Sequence, residues 1–304
     1  MPAAALLACD WGTTNLRAWT LDGQGAVVAE RDFPLGVSRL PRGEAAAVFS
    51  DQVRPVLHAE NTPAILCGMV GSGLGWTTAP YHDCPTTLPD LAKSMIAAPG
   101  APDVRIVPGV RYAGFNGHGD VMRGEETQLF GWLAQHPEYA EGRHLVCHPG
   151  THAKWMVVEN GRLTAFATAM TGELFALLTT HGVLATDSTP GDSEAFDEGL
   201  SAAGDGAALA ARLFTARARV VGGDAAPATS ASFLSGLLIG ADVAATPRLL
   251  ADAPVTDVIL LGDAKLCALY ARALDARGVR TRAYDGEAAA VAGLWALHTT
   301  KVSS

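Results

Sequence analysis

Apolar and polar positions along this chain fall into short blocks that suit strands at two places and helices between them. The first block, Leu6-Leu-Ala-Cys-Asp10-Trp, is an apolar run that ends in a carboxylate. A polar bend, Gly12-Thr13-Thr14-Asn15, separates it from a second apolar run ending at Leu21 and closed by Asp22-Gly23. Two such runs around a tight Gly-containing bend predict a pair of antiparallel strands. The pattern returns as Leu145-Val-Cys147-His148-Pro149-Gly150-Thr151-His152-Ala-Lys154, closed by Asn160-Gly161. Cys9 falls on Cys147, Gly12 on Gly150, Thr13 on Thr151 and Asp22-Gly23 on Asn160-Gly161, all at one offset. That register reads as a duplicated hairpin.

The remaining blocks predict an α/β chain. Residues 26–32 read as a third strand, and 44–58 as a helix with Pro55 near its end. Residues 64–67 read as a buried strand that runs into a glycine-rich loop, Gly68-Met-Val-Gly71-Ser72-Gly-Leu-Gly-Trp76. That loop fits neither GxGxxG nor a Walker A pattern. Residues 77–89 read as irregular, 106–110 as a strand and 112–119 as a loop. Glu125 and Glu126 then open a helix. In the second half, 164–170 reads as a strand and Thr171 as the N-cap of a helix. Residues 193–199, 207–218 and 230–245 read as Ala-rich helices. A strand at 258–261 leads through Gly262-Asp263 into a helix at 265–277, then a strand at 279–283 and an amphipathic helix at 286–297. The one candidate linker lies near 135–143, so two domains are expected, 1–140 and 141–304, with the last helix packing at their junction.

Composition narrows the class. Of 304 residues, 49% are hydrophobic and 17% charged, as in a folded globular protein. A formal net charge of −9 argues against a nucleic-acid surface and against anionic membranes. Five cysteines form no CxxC pair, which fits reduced core thiols and a cytoplasmic location. The start, Met1-Pro2-Ala-Ala-Ala, lacks the basic region of a signal peptide, and no apolar run is expected to approach the roughly 20 residues a membrane helix needs.

Two Gly-Thr bends suit the gripping of phosphate, because backbone N–H groups in such bends form a concavity for anions. Gly12, Thr13, Thr14 and Asn15 are the first set, with Gly150, Thr151 and His152 as the second. Asp10, at the mouth of the first, is placed to hold Mg²⁺, while Arg17 or Lys154 would offset phosphate charge. Gly71, Ser72, Trp76 and Arg123 make a candidate substrate wall. Glu173 is either a first-turn helix acid or a further substrate contact. Glu125 or Glu126 could take a proton from an attacking hydroxyl. Gly262 and Asp263 could floor an adenine ring, or simply join a strand to a helix.

The hairpin pair resembles the actin-like ATPase and sugar kinase superfamily. Seven blocks narrow the resemblance: Asp10-Trp-Gly-Thr-Thr-Asn-Leu-Arg17, Gly68-Met-Val-Gly-Ser72, Ala79-Pro-Tyr81, Met122-Arg-Gly-Glu-Glu-Thr-Gln-Leu129, Pro149-Gly-Thr-His-Ala-Lys-Trp155, Met170-Thr-Gly-Glu173 and Phe233-Leu-Ser-Gly-Leu-Leu-Ile-Gly-Ala241. Together they look like the 2-dehydro-3-deoxygalactonokinase family. The resemblance implies two RNase-H-like domains flanking a central cleft, with mixed sheets and helices on both faces. It also implies ATP and Mg²⁺, and phosphorylation of 2-dehydro-3-deoxy-D-galactonate at its 6-hydroxyl in galactonate breakdown. A further likeness of the Glu-Glu block to exopolyphosphatases points to Glu126 as base, ahead of Asp10. The alternatives are a phosphohydrolase of the same superfamily, a kinase for a related 2-keto-3-deoxy acid, and a non-catalytic sugar-acid sensor. A homodimer stays open.

Overall fold

A computed structural model of the chain describes residues 4–114, 117–251 and 254–301. The start at Met1–Ala3 and two residues of the expected 112–119 loop, Phe115 and Asn116, therefore lie outside the described residues. The chain divides into two compact units, neither of them one continuous stretch. The first comprises Met1–Arg143, Val158–Ala165 and Asp285–Ser304; the second comprises His144–Val157 and Phe166–Tyr284.

In the first unit, β1 (Leu6–Trp11) and β2 (Leu16–Leu21) pair antiparallel around the Gly12–Asn15 bend, and β3 (Val27–Phe33) continues the meander. β4 (Ala64–Gly68) pairs parallel to β1, and all of its residues are buried. A parallel strand covered on both faces needs such an unbroken apolar run. The short β5 (Tyr81–Asp83), β6 (Ile96–Ala98), β7 (Ala101–Ile106), β8 (Gly109–Tyr112) and β9 (Asp120–Met122) follow. They give one sheet of order β3-β2-β1-β4-β7-β6 and a small one of order β5-β8-β9. The strand expected over 106–110 is in fact the end of β7 and the start of β8. Pro108, which has no N–H for a ladder, falls between them.

Residues 45–57 are helical as expected but change pitch on the way. An α turn, α1 (Ala45–Val48), widens into a π stretch in which the Arg54 N–H donates to Phe49 O. A 3₁₀ turn opening on Pro55 closes it, proline having no N–H with which to extend the ladder. The stretch 77–89, expected to be irregular, holds β5 and leads into α2 (Leu88–Ser94). Thr87 and Asp90 form a reciprocal capping box there. Helix α3 (Glu125–Gln135) begins at the two glutamates, as expected.

The second sheet holds β10 (Arg143–His148), β11 (Ala153–Glu159), β12 (Arg162–Ala169), β13 (Asp257–Gly262) and β14 (Arg280–Asp285). Its order is β12-β11-β10-β13-β14. In both sheets the successive strands lie third, second, first, fourth and then a fifth, with the first and fourth parallel. The repeat first visible as two hairpins thus extends through the whole sheet.

Helices α4 (Thr171–Thr180), α5 (Ser193–Ala203), α6 (Leu209–Leu213), α7 (Thr215–Val221), α8 (Ser230–Ala245) and α9 (Ala264–Asp275) complete the second unit. The final helix, α10 (Gly286–Thr299), belongs to the first unit and packs on α3. Glycines set that contact: a Cβ at Gly131 would stand 1.9 Å from Ala289 O, and one at Gly293 would stand 2.1 Å from Thr127 O. One sequence expectation needs correcting. The helical run Pro227–Leu249 is long and apolar enough to cross a membrane, with mean hydropathy 1.4, yet 78% of that window is buried within the fold. It is built as the core helix of its unit, where Gly199 and Gly236 let α5 and α8 meet backbone to backbone.

Candidate active site

The Gly12–Asn15 bend has all four of its backbone carbonyls engaged, that of Asn15 by the Gly12 N–H. Gly36 N–H donates to Thr14 O at 3.1 Å, Val37 N–H to Gly12 O at 3.1 Å and Ser38 N–H to Thr13 O at 3.0 Å. The approach is close enough that a Cβ on Gly36 would lie 2.1 Å from the Thr14 carbonyl carbon. Thr13 and Thr14 stay exposed, and no described residue accepts from their amides. The backbone carbonyls of the bend are therefore engaged while the Thr13 and Thr14 amides are left to donate, which suits an anion. The second bend is tied back similarly: Glu173 N–H donates to Thr151 O at 2.9 Å, and Gly172 has no Cβ to strike Gly150 O.

Beside the first bend sits Asp10, half-buried at the end of β1 and in register with Arg17 on β2 and Cys67 on β4. Burial pushes its carboxyl up to about 6; Arg17 pulls it down and the Glu125 charge pushes it further up. Arg17 is 48% exposed and shared between Asp32 at 3.6 Å and Glu287 at 3.5 Å.

The two glutamates reach this point through a pair of glycines. Gly68 (φ 85°) ends β4 and Gly124 (φ 113°) opens α3; a Cβ on Gly124 would lie 3.3 Å from Gly68 Cα. A Cβ on Gly68 would meet Trp11 O at 2.9 Å and Asp10 Oδ1 at 3.0 Å. Glu126 is fully buried. Its Oε2 accepts the Gly124 N–H at 2.7 Å and its Oε1 accepts the Thr127 hydroxyl at 3.1 Å. Burial, then the neighbouring Glu125, raises its pKa to about 8. A carboxyl so enclosed braces the first turn of α3. Glu125, half-buried, accepts the Arg123 N–H at 3.1 Å and is the more accessible of the two acids.

The glycine-rich loop folds on itself. Ser72 Oγ donates to Met69 O at 2.7 Å, and Trp76 Nε1 donates to Pro99 O at 3.2 Å. Gly71 lies against Arg123, whose Nη2 donates to Ala79 O at 2.8 Å and whose guanidinium stacks 4.5 Å from the Tyr81 ring.

Three expected roles meet a different geometry. Lys154 is 5% exposed, and its Nζ donates to Thr168 Oγ1 at 2.8 Å, so it is held inside the sheet. Thr171 does not cap α4: it is the first helical residue, and its hydroxyl donates to Asp242 Oδ2 at 2.8 Å. Asp263 caps α9, accepting from Lys265 and Leu266 N–H at 3.0 Å each, while Gly262 (φ 151°) lies against Pro149. Exposed His152 and Glu173 are paired with each other. Sequence reasoning also missed Asp242, which is 6% exposed and takes four donors, from Trp155, Thr171, Thr246 and Tyr270. An acid inside an apolar helical run was the available signal. Among the described residues no group of three or more His, Cys, Asp or Glu forms a metal cluster.

Two sheets of one strand order, each headed by a Gly-Thr bend, define a mixed α/β fold built on a repeated unit. The sequence profile described as 2-keto-3-deoxy-galactonokinase matches residues 10–297, and the chain belongs to that family of sugar-acid kinases. It is 37% identical over 294 residues to a "probable 2-dehydro-3-deoxygalactonokinase" of Rhizobium meliloti, covering 94% of each chain. It is 36% identical to the Escherichia coli 2-dehydro-3-deoxygalactonokinase over 96% of each. A crystal structure from Sinorhizobium meliloti with the same kinase designation matches with TM-score 0.85 at 36% identity, covering 96% of this chain and 97% of that one.

Proposed function

We propose that this protein transfers the terminal phosphoryl group of ATP to the 6-hydroxyl of 2-dehydro-3-deoxy-D-galactonate, releasing ADP, in the cytoplasm during galactonate breakdown. The observation that carries this reading is the Gly12–Asn15 bend, with its backbone carbonyls engaged and the Thr13 and Thr14 amides unused, beside the half-buried Asp10. Within the first unit Thr13 and Thr14 are the residues suited to phosphate oxygens, and within the second, taken by itself, Thr151 and His152 are their counterparts.

Mg²⁺ fits the donor set. That ion is held by one or two carboxylates together with phosphate oxygens rather than by an all-protein cage. Asp10 would hold it, assisted by Glu125, and it would neutralise charge on the phosphates. Asp10, with its carboxyl near 6, is ionised at neutral pH and suited to that task.

Glu125 takes the proton from the attacking hydroxyl, because it is the accessible acid of the pair and lies near enough to Asp10 to raise its pKa. Glu126 acts through it, fixing the turn from beneath. Arg17 stands beside Asp10 as a cation for phosphate charge. Gly71, Ser72, Trp76 and Arg123 line the acceptor side.

An assay of ADP release over a panel of 3-deoxy-2-keto acids tests this. Turnover should stay near idle with ATP alone and rise when the galactonate-derived acid is added. Equal ATP hydrolysis with and without acceptor would instead mean a phosphohydrolase.

A further inference from the structure

Arg123 carries a charge that the fold surrounds but does not complete. It is 9% exposed, at the junction between β9 and α3. Its Nη2 is used by Ala79 O at 2.8 Å, while Nε and Nη1 are buried with no hydrogen-bond partner among the described residues. No carboxylate among them forms an ion pair with it; the Glu125 oxygen nearby is taken by its backbone N–H instead.

The surroundings are shaped for a guanidinium rather than merely tolerant of one. Tyr81 lies under it at 4.5 Å, and Tyr81 can lie there because Gly109, its cross-strand partner, has no Cβ; one would stand 2.6 Å from the ring. Gly71 forms the other wall, where a Cβ would stand 2.8 Å from Nη1. Stacking on an aromatic face offsets part of a buried cation's lost hydration but supplies no acceptor. Arginine, with rigid directional donors, is the side chain that matches a carboxylate.

We propose that Arg123 is the specificity-determining residue of the acceptor site: it binds the carboxylate of the sugar acid through Nη1, beside Gly71 and above Tyr81, with the second Nη2 hydrogen completing the fork. This rests on the kinase reading above and names the residue by which an acid is told from a neutral sugar. A site built around an unsatisfied buried donor set rejects a ligand that cannot satisfy it, because the donors then stay unpaired.

The test compares wild type, Arg123→Met, Arg123→Lys and Gly71→Ala with the acid acceptor and its C1 amide. For Arg123→Met, KM for the acid should rise about 100-fold, KM for ATP should stay within about threefold, and the preference for acid over amide should collapse. Lysine should restore the preference only in part, since it offers one point charge in place of a fork. Gly71→Ala, which leaves the arginine present but displaced, should raise KM for the acid alone. The ligand-free melting temperature of Arg123→Met should change little, because relief from burying a charge with no ion-pair partner offsets the lost Ala79 bond and Tyr81 stacking. The acid, added without ATP, should raise the melting temperature of wild type and not that of Arg123→Met.

If Arg123→Met melts lower and keeps its acid-over-amide preference, the side chain is a structural brace and the inference fails while the kinase reading stands. If wild type phosphorylates no sugar acid at all, the kinase reading itself has failed.

Discussion

Gly68 and Gly124 stand back to back, so close that a methyl group on Gly124 would touch the Gly68 α-carbon at 3.3 Å. Both hold positive φ, 85° and 113°. Their contact brings the end of β4 to the start of α3, and with it Asp10 to the two glutamates. Gly124→Ala would therefore be strained in its backbone and would also push α3 away. The expected cost is roughly 1–3 kcal/mol of stability, with a loss in kcat larger than any change in KM for ATP. Urea unfolding and steady-state kinetics on the same preparation check both parts.

Glu126 makes stability depend on pH. Its folded pKa, about 8, lies above the 4.5 of the free side chain because burial disfavours the charge. The native state therefore holds this proton more tightly than the unfolded chain does. Its contribution is fully present below about pH 4.5 and is lost as pH rises through about 8, amounting to a span on the order of 5 kcal/mol. Glu126→Gln can still accept from Gly124 N–H but cannot ionise. Its melting temperature relative to wild type should rise from pH 5 to about pH 8 and level off beyond it. A flat difference would mean that Glu126 is no more buried than an ordinary helix-cap acid.

Asp10 should govern the acid side of the activity profile. With its carboxyl near 6, kcat/KM should fall as pH drops through that value. Arg17 holds the pKa down, so Arg17→Met should move the acid limb to higher pH while also weakening ATP binding. Glu125→Gln should instead lower kcat by about 10²–10⁴-fold, a far larger change than its effect on nucleotide affinity. Kinetic profiles between pH 5 and 9, with isothermal titration of a non-hydrolysable ATP analogue, separate these three roles.

Much of this was legible from residue order, and the failures share a cause. The Gly-Thr bends, the buried β4 and the acid-headed α3 follow from local chemistry: turn formers, unbroken apolar runs and first-turn carboxylates. Lys154 looked like a phosphate ligand because a lysine follows the second bend. What decides its role is Thr168, one strand away, which nothing in the local pattern announces. Thr171 read as a cap for the same reason, until Asp242, far along the chain, claimed its hydroxyl. The unfilled donors of Arg123 depend on Ala79, Tyr81 and Gly71 meeting around it. Side-chain partners brought from a distance decide these roles, and periodicity carries no record of them.

The network around Asp242 gives the last prediction. Trp155 Nε1 and Thr246 Oγ1 donate to Oδ1 at 2.9 and 2.7 Å, while Thr171 Oγ1 and Tyr270 OH donate to Oδ2 at 2.8 and 2.6 Å. Four donors converge on one carboxylate, tying α8 to β11, α4 and α9. Asparagine must turn its NH₂ toward one of the two pairs, setting donor against donor in a buried place. Asp242→Asn should lose roughly 1–3 kcal/mol of stability. Thr171→Val removes one donor and frees the first turn of α4, which holds the Gly150–Thr151 bend through Glu173 N–H. It should therefore raise KM for ATP several-fold at little cost in stability, leaving KM for the sugar acid alone. Equal changes in both Michaelis constants would show that α4 does not support the second bend.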